Sequence, residues 1–429
     1  MSATAPRNAC PTIARPMETG DGLLARLPPL GPLALDAIRA IGDAAARFGN
    51  GIVEVSSRGS VQARGLSPAS APAFAAALAA IGIRDSRPAI HVPPLAGLDH
   101  GVDVRPLAGA LRVAAAPLGA RLAPKASVVI DGGGGVSLDA IDADVRLVAA
   151  GSVVALAIGG TAATARPVGL VRPDRAVAAA TTVLEMMAEA GMRARDLDPS
   201  AVVVPGATPG MHPAPHRSEP IGTHRLRGGR IAIGIGLAFG QADAAVLAAL
   251  VDAAEAAGAT ALAPAPGRAL LAIGVRDHDS FRRHAAARGF IVDAGDPRRA
   301  VVACAGAPAC GAGRMPAREI AASLTNAAAP ILDGTVTLHV SGCRKGCAMP
   351  RAASLALVGT GEGLALAVNG RAMDAVPIGP GTGDSVTAAA RLSAAVADAR
   401  RPGETAADAI ARLRAGGVAA LLRREPVDA

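Results

Sequence analysis

Four of the five cysteines fall into two close pairs, Cys304-x5-Cys310 and Cys343-x3-Cys347, with Cys343 placed 33 residues after Cys310. Thiolates at this density, in loops rich in Gly and Pro, can converge on one inorganic centre because small residues let the backbone fold back around it. Zinc sites commonly show two-residue spacings within their pairs, which x5 with x3 does not match. The spacing fits a four-Cys iron-sulfur cluster better. Lys345 stands inside the second pair, where its charge can offset that of a thiolate-bound cluster or reach an anionic substrate. Cys10 is alone and reads as an ordinary cysteine.

Composition sharpens the weight of such residues. Of 43 Lys and Arg, all but Lys125 and Lys345 are Arg, and the only glutamines are Gln62 and Gln241. The chain has 35 Asp and Glu, a net charge of +8, no Trp, no Tyr and five Phe. Half of its 429 residues are hydrophobic, which excludes a disordered chain and allows several cores. The high charge alone would suit nucleic acid, but no aromatic cluster offers a stacking platform and the basic residues are dispersed. An anionic small substrate is the expected partner of some of the Arg, with no nucleic acid involved. The uncharged stretch from Leu147 to Ala165 is broken by Gly151, Ser152, Gly159 and Gly160, so no membrane span is expected. No signal peptide is visible, and a cytoplasmic location with reduced or metal-bound cysteines is expected.

The elements that must position these residues repeat. A strand over Gly22 to Leu27, a helix carrying Leu35, Ile38 and Ile41, a strand over Ile52 to Val55, a loop with Arg58, a strand over Val61 to Leu66 and an Ala-rich helix follow in order. The order returns as a strand over Ile231 to Leu237, a helix over Gln241 to Ala256, a strand reaching Pro264, a loop with Arg268, a strand over Ala269 to Val275 and a helix closed by Gly289. Arg58 and Arg268 hold equivalent places, which points to a duplicated ferredoxin-like half-unit. Gln241 is expected on a helix surface. Each half precedes a β-rich segment, and Thr335 to Val340 alternates as a strand that delivers Cys343 at its end. The expected partition is residues 1–92, first half-unit; 93–212, first α/β lobe; 213–294, second half-unit; 295–378, cluster-binding lobe; and 379–429, a helical tail. The four glycines Gly132 to Gly135 lack a following helix at dinucleotide-binding spacing and read as a turn.

With both cysteine pairs in hand, the chain resembles the siroheme-dependent nitrite and sulfite reductase superfamily, whose Cys-x5-Cys and Cys-x3-Cys carry a 4Fe-4S cluster. Within it the similarity is to the branch that serves aerobic cobalamin biosynthesis. It lies in Cys10-Pro11 with Ala14-Arg15-Pro16-Met17, Thr19-Gly20-Asp21-Gly22-Leu23-Leu24, Asn50-Gly51 through Arg58-Gly59, and Gln62-Ala63-Arg64-Gly65-Leu66. It continues in Pro94-Leu95-Ala96-Gly97-Leu98-Asp99, Ser341-Gly342-Cys343 and Lys345-Gly346-Cys347-Ala348, spanning roughly residues 8 to 370.

The resemblance implies an α+β, pseudo-twofold duplicated fold with two ferredoxin-like half-units and two further α/β lobes. It implies Cys304, Cys310, Cys343 and Cys347 as cluster ligands. Arg26, Arg58, Gln62 and Arg64 are implied as binders of tetrapyrrole carboxylates, and Lys125 and Lys345 as catalytic cations near the reacting edge. In Arg58-x3-Gln62-x-Arg64, strand alternation puts Gln62 and Arg64 on one face. The implied activity is an oxygen-using monooxygenase that hydroxylates precorrin-3A at C20 and closes a lactone. Its partners would be precorrin-3A, molecular oxygen and a separate NAD(P)H-linked reductase or ferredoxin-type donor, with room for a mononuclear non-haem iron. The alternatives are a siroheme-dependent sulfite or nitrite reductase and a non-catalytic iron-sulfur electron carrier. Three positions depart from the superfamily pattern. Ser127 stands where reductases have the second Lys of Lys-x-Lys, Pro88-Ala89 stands for Arg-Asn with Arg87 one place off, and Met349 stands for the branch's His.

Overall fold

The computed structural model describes residues 10–216, 218–378 and 385–423. They form two compact units, one of residues 10–19 and 23–294, the other of residues 20–22 and 295–423.

In the first unit the leading half-unit runs β1 (Met17–Thr19), β2 (Gly22–Arg26), β3 (Leu33–Ala34), α1 (Leu35–Phe48), β4 (Ile52–Val55), β5 (Val61–Leu66) and α2 (Ala71–Ala80). Then come β6 (Ala89–His91), α3 (Arg105–Ala115), β7 (Ser127–Asp131), β8 (Ala143–Ala150), β9 (Val153–Gly160), β10 (Arg166–Val171) and α4 (Ala176–Ala190). The second half-unit follows as β11 (Gly222–Arg225), β12 (Ile231–Gly236), β13 (Gln241–Asp243), α5 (Ala244–Ala256), β14 (Ala261–Ala265), β15 (Ala269–Ile273) and α6 (His278–Ala287). The second unit contains β16 (Val301–Ala303), α7 (Ala317–Ala327), β17 (Leu338–Ser341), β18 (Ala353–Thr360), β19 (Gly363–Gly370), β20 (Val376–Pro377), α8 (Ser385–Asp398) and α9 (Ala406–Arg423).

The duplication extends to strand order. The half-unit sheets are β1-β2-β5-β4-β13 and β11-β12-β15-β14-β3, so each half lends a short strand to the other's sheet. Gln241 to Asp243 pair antiparallel with β4, and Leu33 and Ala34 with β14. This exchange covers an open strand edge on each side. It also corrects the reading of residues 241–243 as the start of a helix: the helix begins at Ala244, and Gln241 is buried in a strand. The two halves share one core, in which Ile38 and Ile41 of α1 are buried with Leu247, Leu250 and Val251 of α5. The hairpin loops of Arg58 and Arg268 occupy equivalent places and meet, with the Gly267 N–H donating to the Ser57 carbonyl at 3.0 Å.

The two lobe sheets repeat as well. β6, β7 and β8 run parallel and β9 and β10 antiparallel, and β16 to β20 reproduce this pattern. β6 already belongs to the first lobe's sheet, so the chain enters that lobe at Ala89. In the second unit the expected strand over Thr335 to Val340 shortens to Leu338–Ser341. Thr335 instead donates its N–H and hydroxyl to Asp333 in a turn. The helices of the expected tail pack within this unit, α8 on α7 and α9 on β19, while residues 379–384 lie outside the described residues. No described helix is long and apolar enough to cross a membrane.

Candidate functional site

In the first unit a polar ladder crosses four neighbouring strands. Gln241 of β13 lies opposite Glu54 of β4, Glu54 opposite Gln62 of β5, and Gln62 opposite Arg26 of β2. Directly opposed residues have side chains close enough to bond, and these do. Gln241 Nε2 donates to Glu54 Oε1 at 2.6 Å, and Arg64 Nη1 donates to Glu54 Oε2 at 2.9 Å. With the Gln62 amide oriented so that its NH2 faces Glu54, it donates to Oε2 at 3.2 Å and accepts from Arg26 Nη2 at 3.0 Å and Nε at 3.1 Å. Arg26 Nη1 donates onward to Cys10 Sγ at 3.2 Å. Gln62 and Arg64 thus share a strand face, as alternation requires, and Cys10 has a contact in this group. Gln241 is 5% exposed and its Oε1 has no hydrogen-bond partner among the described residues. Leaving such an oxygen unpaired costs about 1–3 kcal/mol, so the donation to Glu54 fixes the amide against that cost.

Arg58 projects from the β4–β5 hairpin. It is half exposed, and its Nη2 is 4.0 Å from Asp142 Oδ2, which is 3.6 Å from Arg195 Nη2. His91, at the end of β6, is buried beside this group. Burial first, and then the guanidiniums of Arg58 and Arg26, push its imidazole down from 6.5 to about 4. Between pH 6.5 and 4 the unfolded chain binds a proton at His91 that the folded chain refuses, so stability falls as pH drops through that window, by up to about 3 kcal/mol. His91→Leu is expected to flatten this part of the stability curve; urea midpoints at pH 4.5 and 7 check it, and an unchanged difference between the two pH values contradicts it. Lys125 is exposed in the turn before β7.

In the second unit the cysteine loops close on each other through glycines. The Gly342 N–H donates to Cys304 Sγ at 3.1 Å, and a Cβ on Gly342 would lie 3.1 Å from Gly306 Cα and 3.3 Å from Gly313 Cα. Burial pushes the Cys304 thiol up, opposed by the Gly342 and Gly306 N–H groups and reinforced by Cys343 and Cys310 nearby. Ser341 Oγ donates to the Cys343 carbonyl at 2.7 Å, holding the second loop at the end of β17. Cys347 and Lys345 are exposed on that loop. No group of three or more His, Cys, Asp or Glu among the described residues is arranged to hold a single metal ion. Four thiols in glycine-lined loops, with a backbone N–H already directed at one sulfur, fit the donor chemistry of an iron-sulfur cluster.

Gly20, in the same unit, accepts from the Gly311 N–H at 2.9 Å, and a Cβ there would sit 2.2 Å from Cys310 Sγ. Gly20→Ala is therefore expected to displace that thiol and lower bound iron per chain about twofold or more. Gly31→Ala, where a Cβ meets nothing within 4 Å, should leave it unchanged. Iron and sulfide assays check both, and a full iron complement in Gly20→Ala contradicts the placement of Cys310 as a ligand.

The profile of the nitrite/sulfite reductase ferredoxin-like half domain matches residues 15–81, the stretch that holds Arg26, Arg58, Gln62 and Arg64. A protein named precorrin-3B synthase, from Sinorhizobium sp, is 42% identical over 434 residues, covering 96% of this chain and 94% of that protein. The chain belongs to the precorrin-3B synthase family. The solved structure of Mycobacterium tuberculosis NirA protein is similar in fold, with a TM-score of 0.65 at 18% identity over 94% of this chain and 85% of that one.

Membership of the precorrin-3B synthase family makes the chain an enzyme of the oxidoreductase class, and the three departures find structural accounts. Ser127 is 3% exposed at the start of β7, its N–H donating to Asp144 Oδ2 at 2.9 Å, in a place too enclosed for a substrate-facing lysine. Arg87 donates Nη2 to the Leu122 carbonyl at 2.9 Å, which ties down the chain between α3 and β7. Met349 is buried with Val302 and Ala353, so it fills core space. Glu54, His91 and Gln241 join the candidate site through contacts that no local sequence signal marks. Only the rarity of glutamine marked Gln241.

Proposed function

We propose that this precorrin-3B synthase family member inserts one atom of molecular oxygen at C20 of precorrin-3A and closes the lactone. The other oxygen atom leaves as water, with electrons from a separate NAD(P)H-linked reductase or ferredoxin-type donor. The observation that carries this reading is 42% identity along nearly the whole chain to a protein of that name. The ladder supports it chemically. A corrinoid precursor is a polycarboxylate, and guanidinium groups recognise carboxylates in two-point fashion. Arg26, Arg58 and Arg64 anchor those carboxylates, Gln62 orients Arg26, and the neutral imidazole of His91 offers an N–H and a lone pair beside them. Lys125 and Lys345 are proposed to face developing negative charge.

Cys304, Cys310, Cys343 and Cys347 are proposed to hold a 4Fe-4S cluster, which supplies one-electron transfer when bound. Side chains alone do not activate ground-state oxygen. A mononuclear non-haem iron is a candidate for that task, but the described residues offer no three-ligand group for one, and no residue is assigned to it. Siroheme belongs to the reductase alternative, whose second lysine is the buried Ser127 here. The test is incubation of the reduced protein with precorrin-3A under air and under argon. Consumption under air alone is expected; equal consumption under argon, or none under air, contradicts the proposal.

A further inference from the structure

We infer that Glu54 and Gln241 are positioning residues of the carboxylate-binding site, so that the second half-unit, through its exchanged strand, sets the geometry of anchors carried by the first. The inference rests on reading Arg26, Arg58 and Arg64 as those anchors. Glu54 is the hub: Oε1 accepts from Gln241 at 2.6 Å, and Oε2 accepts from Arg64 at 2.9 Å and from the Gln62 amide. Through Gln62 the same carboxylate fixes Arg26, whose Nε and Nη2 are both held by one amide oxygen while Nη1 reaches Cys10. A guanidinium has five N–H donors, so these bonds lock its plane and leave the remaining donors for a ligand.

Gln241 is not interchangeable with a passive filler. Its amide could turn to seek a partner for Oε1, yet that oxygen is buried without one while Nε2 stays on Glu54. An amide held in this way restrains the carboxylate, and with it both arginines. Arg64 and Glu54 are 12% and 18% exposed, so the pair lies at the rim of the buried face, where a ligand carboxylate can approach.

Charge separates positioning from direct binding. Glu54 is the one carboxylate in the ladder with Arg26 and Arg64, so Glu54→Gln makes the anchors more positive while releasing them. A tetrapyrrole polycarboxylate should then bind at least as tightly, with steeper salt dependence, while turnover falls about tenfold or more because the substrate is held out of register. Gln241→Met leaves the charge alone. It should lower kcat in the same direction, with wild-type salt dependence.

The experiment titrates wild type, Glu54→Gln, Gln241→Met and Arg58→Ala with uroporphyrin III, a stable octacarboxylate tetrapyrrole, at low and high salt, and measures kcat and KM with precorrin-3A. Tight, salt-sensitive binding with low kcat in Glu54→Gln supports the inference. Binding weakened in step with kcat, or wild-type kcat, overturns it. Should Glu54→Gln fail to fold, wild-type kcat in Gln241→Met overturns it alone. If Arg58→Ala binds uroporphyrin like wild type, the anchor reading fails for Arg58; if Arg58→Ala binds weakly while both ladder variants turn over normally, only the positioning role fails.

Discussion

Replacing Cys343 by Ser is expected to abolish the visible iron-sulfur absorbance of the anaerobically purified protein and to reduce turnover of precorrin-3A by about a hundredfold or more. A 4Fe-4S cluster demands thiolate ligands, and Cys343 sits where strand and loop chemistry converge. β17 delivers it, Ser341 holds its carbonyl, and Gly342 before it donates to Cys304. Cys304→Ser should behave alike, since it removes the thiol that accepts from the Gly342 N–H. Cys10→Ser should keep the colour, because Cys10 contacts Arg26 in the first unit. Far-UV circular dichroism separates loss of the cluster from loss of the fold. A brown protein with full iron after Cys343→Ser contradicts the ligand set.

The second large effect is expected at Arg58. Its only close acidic partner in the described structure is Asp142 at 4.0 Å, and it is 49% exposed, so truncation removes little that the fold needs. If it anchors a substrate carboxylate, Arg58→Ala forfeits a charge-assisted hydrogen bond worth about 1.5–3 kcal/mol. That corresponds to a rise of about 10- to 100-fold in the Kd for precorrin-3A. Cluster absorbance and melting temperature should stay at wild type. Equilibrium titration checks the first and spectroscopy the second. Unchanged affinity removes Arg58 from the site, and loss of affinity together with the cluster assigns it a folding role.

The cysteine pairs, the duplicated order of elements and the Arg58-x3-Gln62-x-Arg64 face were legible in the sequence because each is a local spacing. The exchanged strands were not. Gln241-Ala-Asp243 precedes a long Ala-rich helical run, and nothing within three residues announces that their backbone completes the edge of β4, far away in the chain. Glu54 was passed over for a related reason. In a strand reading Ile-Val-Glu-Val an acidic residue looks like a solvent-facing position, and its role emerges only when β13 and β5 flank it. His91 likewise stands in an unremarkable stretch; its neutrality comes from burial and from two arginines brought by other elements. Lys125 and Lys345 were singled out by rarity, and the structure finds both exposed, with their proposed roles resting on the substrate they meet.

The most direct test of the central claim is isotopic. The reduced, cluster-loaded protein is incubated with precorrin-3A under 18O2 in ordinary water, and the corrinoid product is analysed by mass spectrometry. A product carrying a single 18O, formed only when oxygen is present, is expected. A product without label, or no product alongside reduction of sulfite or nitrite, contradicts it.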